Sequence, residues 1–186
     1  VAFTAFDIFG AQEVCHDQLE YMLSRLPEYD YIGVARDDGK TKGEYSPVFY
    51  RRDRFELLDS GTFWLSETPE EVSYGWDAAC RRVCSWGYFK DKQSKRKFWF
   101  FNTHMDHKGK AARVEGAKLV ISKIKQMCGK GAKVILTGDF NVAQDSPAYK
   151  TFAESGLLKD AFDLAPIKFA PTGTFSQRSH CEEDFV

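Results

Sequence analysis

The sequence has no run of about 18 apolar residues, and its first residues carry no charged segment followed by an apolar stretch, so neither a membrane span nor a signal peptide is visible. That leaves a soluble protein, cytoplasmic or exported with its signal removed, and the compartment open. Neither sign of charge dominates. A net charge of −1 supplies no global basic field, which disfavours tight, sequence-independent nucleic-acid binding while leaving room for a local basic groove. The five cysteines are odd in number, scattered and without Cys-x-x-Cys pairs, so neither a zinc site nor a disulfide scaffold organises the chain. They read as mostly free core thiols. What is present suffices for one substantial core: 186 residues, 43% hydrophobic and 15% aromatic, expected to form a single domain over residues 1–186.

Polar chemistry gathers where apolar strand-like runs end. Val134, Ile135 and Leu136 form a short β-forming run read as a buried strand, which meets Gly138, Asp139 and Asn141. Alternation puts the carboxylate and the carboxamide on one side, where they can orient a water, bind a hard cation or hold a phosphoryl oxygen. Gly-Asp-Phe-Asn is equally the composition of a plain turn. Upstream, Ala5 to Gly10 reads as a short strand, and Leu19, Met22, Leu23 and Leu26 recur at helical spacing before Pro27, so a helix is expected over Cys15 to Leu26. Glu13 sits where that strand gives way to the helix. Its plain reading is an acid favourable to the helix dipole.

Further strands are expected at Tyr31 to Val34, and at Ser46 to Tyr50 and Phe55 to Leu58, the latter two as a hairpin around Arg51 to Arg54. Ser60 to Trp76 mixes turn residues with Phe63, Trp64, Tyr74 and Trp76 and reads as a long aromatic loop, able to shape a pocket or to cover the core. Arg82 to Phe89 and Lys97 to His104 form a second strand pair around a basic, solvated tip. Its exit brings His104, Asp106 and His107 together, which favours a site over a lone structural histidine. A helix follows from Lys110 to Cys128, closed by Gly129. Ser146 and Pro147 open a short helix that stops at Gly156, and Leu157 to Val186 reads as loop. The order predicts an α/β sandwich, two stacked mixed sheets with helices outside and the polar strand exits along one rim.

Glu13 in Gly-Ala-Gln-Glu-Val, His104 in Asn-Thr-His and Gly138-Asp-Phe-Asn141, in that order and with a helix between the last two, resemble the endonuclease/exonuclease/phosphatase superfamily. Gly43-Glu-Tyr-Ser, Phe49-Tyr-Arg and the stretch from Arg82 to Trp86 give it the flavour of bacterial members named only at family level. The resemblance runs from about Phe6 to Asn141, with looser likeness in Pro171 to Phe175. It implies the four-layer, deoxyribonuclease I-like α/β sandwich and hydrolysis of a phosphoester by activated water with Mg2+ or Mn2+. It also implies roles. Glu13 resembles the metal-binding glutamate, Asp139 the acid that orients or deprotonates the water, and Asn141 its phosphate-steadying neighbour. His104 resembles the histidine bonding a phosphoryl oxygen, and Arg82 an arginine near the phosphate, with Arg81 its rival.

Hydrolysis of an anionic ester needs a cation, a positioned base and donors for the equatorial oxygens, and a hard carboxylate such as Glu13 suits magnesium. The family's opening strand with an asparagine and its closing Asp-His pair have no clear match. His180, Glu182 and Asp184 are possible stand-ins, and the sequence is expected to lack terminal or internal segments of the family domain. The aromatic loop and near-neutral charge favour a small phosphorylated substrate, a sugar phosphate or lipid headgroup. A metal-dependent endonuclease or exonuclease, or a non-catalytic binding member of the same fold, are the alternatives. Oligomeric state is not legible.

Overall fold

In the computed structural model, which describes residues 6–167, strands predominate, with helices between some of them. Strand β1 (Ile8–Gly10) leads to helix α1 (His16–Arg25), then β2 (Tyr29–Ile32), β3 (Val48–Arg51), β4 (Phe55–Trp64), β5 (Val83–Asp91) and β6 (Lys97–His104). Helix α2 (Lys110–Met127), β7 (Val134–Asp139), α3 (Pro147–Ala153) and α4 (Ala161–Leu164) complete the order. Two sheets result: a three-stranded antiparallel sheet ordered β1-β3-β2, and a four-stranded mixed sheet ordered β4-β5-β6-β7. Among the described residues only β6 and β7 run parallel, with α2 as the crossover helix that such a pair needs.

Three apolar layers hold the sandwich together. Leu19, Met22 and Leu23 of α1, with the following Leu26, pack on Phe49 and Tyr29 of the first sheet and on Tyr45. Ile32, Val48 and Tyr50 meet Phe55, Phe89 and Phe100 between the sheets. Val120, Ile121 and Ile124 of α2 cover Phe63, Cys84 and Phe101 on the far face. Strand β6 shows why two layers can share one strand: Phe98 and Phe100 face the first sheet while Trp99 and Phe101 face α2. The architecture is therefore the deoxyribonuclease I-like four-layer α/β sandwich, with helices outside both sheets. No helix among the described residues is long and apolar enough to cross a membrane.

Local expectations fail in four places. The segments around Arg51 to Arg54 do not make a hairpin, because β3 pairs with β1 and β2 whereas β4 pairs with β5. The turn passes the chain between sheets, and Arg54 anchors it by donating to both carboxylate oxygens of Asp91 at 2.9 and 3.1 Å. The strand at Phe55 runs on to Trp64, through residues expected to be loop. Gly61 breaks the sequence pattern but not the strand, since a Cβ there would lie 2.8 Å from the Trp86 indole. β7 pairs on one side only among the described residues, leaving Ile135 43% exposed rather than buried. The stretch after Leu157 contains the short α4, capped by Asp160, whose side chain accepts from Phe162 N. The candidate residues His180, Glu182 and Asp184 and the Pro171 to Phe175 likeness lie outside the described residues.

Candidate active site

The parallel register of β6 and β7 makes His104 and Asp139 direct Cα partners at the ends of their strands. Their side chains stand together, His104 Nε2 lying 3.9 Å from Asp139 Oδ2. The chain then turns. Asn141 donates its backbone N–H to Asp139 Oδ1 at 2.9 Å and its side-chain amide to Met105 O at 2.9 Å, so Gly-Asp-Phe-Asn is both a turn and part of the cleft. The turn links the two residues through the Asn141 backbone N–H. Gly138 is required here, because a Cβ would lie 2.2 Å from Thr103 O. Phe140 points away, packing edge-on against Phe152 of α3 at 5.3 Å.

Glu13 enters from the opposing sheet, just past β1. Its φ of 58° and that of Asn141, 50°, place two non-glycine residues of this region in the left-handed region, which costs about 1–2 kcal/mol for a residue with a Cβ. Asparagine tolerates this conformation; glutamate has no such excuse, and backbone strain of this kind concentrates at functional sites. The Glu13 carboxylate is exposed and has no hydrogen-bond or ion-pair partner among the described residues. Asp139 is similarly open, its side chain 52% exposed.

His104 is 5% exposed. Burial, with the charges of Arg82 and Arg36, pulls its pKa down to about 4 against the opposing influence of Asp139 and Glu13. At neutral pH the imidazole is therefore uncharged, and its contact with Asp139 is not an ion pair. It can donate or accept a hydrogen bond without adding charge.

Arg82 is buried, 5% exposed, close enough for its charge to act on His104. Its Nη2 donates to His107 Nδ1 at 3.0 Å and its Nε lies 3.6 Å from Asp106 Oδ2, yet Nε and Nη1 are buried without a hydrogen-bond acceptor. Asp106 is a fixed counter-ion. Burial pushes its pKa up, but N–H donors from Gly109, Lys108 and Ala79 and the charge of Arg82 hold it well below the usual carboxylate range. Asp106 and His107 thus support Arg82 and do not join His104. Cys80, Asp106 and His107 place ligand atoms within 4.8 Å of one another. However, Asp106 is occupied by N–H donors, His107 Nδ1 by Arg82, and burial pushes the Cys80 thiol up, so a guanidinium organises the cluster. The rival Arg81 turns to the rim, 3.5 Å from Asp37 Oδ1 and under the Tyr74 ring at 4.4 Å.

Of the aromatic segment, Phe63 and Trp64 are core, with Trp64 Nε1 donating to Arg36 O at 2.8 Å, and Tyr74 is the exposed member. Sequence reasoning missed Arg36, which sits in a polar loop with no pattern to mark it. It also missed Asn102, whose signal was present: a carboxamide inside an aromatic strand.

A groove of about 630 Å³ runs from Glu13 along α1 past Asp17, Gln18 and Tyr21. Another of about 560 Å³, lined by Trp86, Trp99 and Lys123, lies on the α2 side of the second sheet, away from these residues.

No family model matches the chain. It superposes on the mannosyl-6-phosphatase of Bacteroides thetaiotaomicron VPI-5482 with a TM-score of 0.85 and 54% identity, covering 88% of this chain and 61% of that one. An endonuclease/exonuclease/phosphatase family protein from Bacteroides thetaiotaomicron gives a TM-score of 0.82 and 55% identity over 84% of this chain and 57% of that one. Protein L388 of Acanthamoeba polyphaga mimivirus is 30% identical over 128 residues, 67% of this chain and 47% of the relative. The chain thus spans about half to three-fifths of the length of these relatives. It belongs to the endonuclease/exonuclease/phosphatase superfamily.

Proposed function

We propose that this protein is a divalent-metal-dependent phosphohydrolase that cleaves the phosphoester of a small phosphorylated substrate with activated water. One observation carries the reading: a buried arginine, Arg82, with an Nη1 that meets no protein acceptor, acts on an uncharged His104 that stands beside Asp139, a donor set suited to phosphate oxygens. The open Glu13 carboxylate fits a hard cation, since magnesium takes one or two carboxylates and keeps several waters. When bound there, Mg2+ or Mn2+ would neutralise charge on the phosphate.

Each side chain then has a task. Arg82 and the His104 imidazole donate to equatorial oxygens. Asp139, open to solvent and fixed through Asn141 N, orients and deprotonates the water. Asn141 steadies both the acid and the ester. Likeness to a protein named as a mannosyl-6-phosphatase and the net charge of −1 favour a sugar phosphate over nucleic acid. The test is turnover of mannose 6-phosphate and p-nitrophenyl phosphate with Mg2+ or Mn2+, with and without EDTA, by wild type and Asp139→Ala. Metal-dependent release of phosphate by wild type only is expected. Equal turnover by Asp139→Ala overturns the reading, and steeply salt-dependent cleavage of DNA or RNA replaces the substrate class with nucleic acid.

A further inference from the structure

Asn102 lies between the two sheets, 0% exposed. Its Nδ2 donates to Ala11 O at 2.8 Å and Pro47 O at 2.9 Å. Its Oδ1 accepts from Gln12 Nε2 at 2.7 Å and lies 3.0 Å from Thr137 Oγ1. The orientation of the amide is fixed by chemistry, because two carbonyls can face only its N–H side. A carboxamide has two donors and two acceptor sites, and here all four are used. The first sheet closes tightly on it: a Cβ on Gly10 would lie 2.2 Å from Oδ1, and Ala11 N donates to Pro47 O at 3.0 Å.

Apart from Pro47, the members of this network stand one or two residues before a candidate site residue. Ala11 and Gln12 precede Glu13, Asn102 is two residues before His104 on β6, and Thr137 is two before Asp139 on β7. Two strand steps return a side chain to the same face, so the hub forms a layer directly beneath the cleft. The contacts from Asn102 to Ala11, Gln12 and Pro47 bridge sheets whose shared core layer is apolar.

We infer that Asn102 is a positioning residue: its side chain ties the exits of β1, β6 and β7 into one polar hub and so fixes Glu13 against His104 and Asp139. The catalytic consequence rests on the function proposed above; the structural coupling does not. Replacing the amide leaves Ala11 O and Gln12 Nε2 without this partner and frees the Glu13 segment from the second sheet, while the apolar layers remain.

The experiment compares wild type, Asn102→Leu, Gln12→Leu and a core control, Val120→Ala, by amide hydrogen exchange and steady-state turnover. Asn102→Leu is expected to accelerate exchange across residues 11–14 by about tenfold or more beyond the control at matched thermal stability. Its kcat should fall roughly 10- to 100-fold, as for residues that orient a metal ligand, with KM little changed. Gln12→Leu, which removes one bond at the edge of the hub, should show the same pattern more weakly and serves if Asn102→Leu does not fold. If these variants follow Val120→Ala in both readouts, Asn102 is merely structural and the inference is overturned. If wild type shows no metal-dependent turnover, the proposed function falls, and the exchange contrast alone decides for or against the hub.

Discussion

Arg82 donates to His107 Nδ1 across 3.0 Å, and this bond, with the Asp106 carboxylate 3.6 Å from Nε, holds the guanidinium in place. A buried guanidinium whose Nη1 meets no protein acceptor suits an anion that enters the site. Arg82→Ala is therefore expected to weaken binding of inorganic phosphate roughly 10- to 100-fold, the value of a charge-assisted hydrogen bond. Arg82→Lys should recover only part of this, because an ammonium cannot reproduce the planar fork. Titration calorimetry with inorganic phosphate measures both, and unchanged affinity in Arg82→Ala removes Arg82 from the anion site.

The counter-ion carries a separate prediction about stability. Asp106 accepts from Lys108 N and Gly109 N at one oxygen and from Ala79 N and Cys80 N at the other. Asp106→Ala orphans these donors and leaves Arg82 as an uncompensated buried charge, for an expected loss of about 3–5 kcal/mol. Asp106→Asn keeps one accepting oxygen and should lose less. Urea denaturation of the two variants ranks them; equal stabilities would show that the loop does not depend on this carboxylate.

How much of this was legible in the sequence follows from what each residue does. Glu13, His104 and Asp139 stood out because each ends an apolar strand-like run, and the fold does bring those exits to one rim. Asp106 and His107 drew attention by proximity to His104, but adjacent residues past a strand end diverge, and these two support Arg82. The β3 to β4 connection was misread because a turn between strands looks the same whether it stays in one sheet or changes sheet. Ser60 and Gly61 hid the second half of β4, since the reason for the glycine, the Trp86 indole lying against it, is a tertiary contact. Arg36 could not be found because its place near His104 depends on packing alone.

Backbone strain at Glu13 yields a prediction that separates stability from function. The left-handed φ of 58° penalises any side chain with a Cβ by about 1–2 kcal/mol, and the greater unfolded-state freedom of glycine returns about 0.5–1 kcal/mol of that. Glu13→Gly should thus be more stable than Glu13→Ala by about 0.5–1 kcal/mol. Both should lose the heat of Mn2+ binding, because neither offers a carboxylate. Chemical denaturation and metal calorimetry on the pair test this; an alanine variant as stable as the glycine one would mean that the strain is relieved elsewhere.

The uncharged state of His104 sets a pH window for the metal-free protein. In the unfolded chain the imidazole takes its proton near pH 6.5, in the fold only near pH 4. Between those values the unfolded state binds more protons, so stability rises with pH across this window and falls on acidification. The total is on the order of 3 kcal/mol, with no further slope from this group above the upper value or below the lower one. Asp106, held well below the usual carboxylate range, adds a loss of the same sign only under more acidic conditions, after most of the His104 change is complete. His104→Gln replaces the imidazole with a carboxamide of similar reach that cannot titrate. Its urea-unfolding free energy should be flat from pH 6.5 to about 4.5, where wild type slopes. A wild-type curve parallel to that of the variant would show that His104 titrates alike in both states, and that Arg82 and burial do not keep it uncharged.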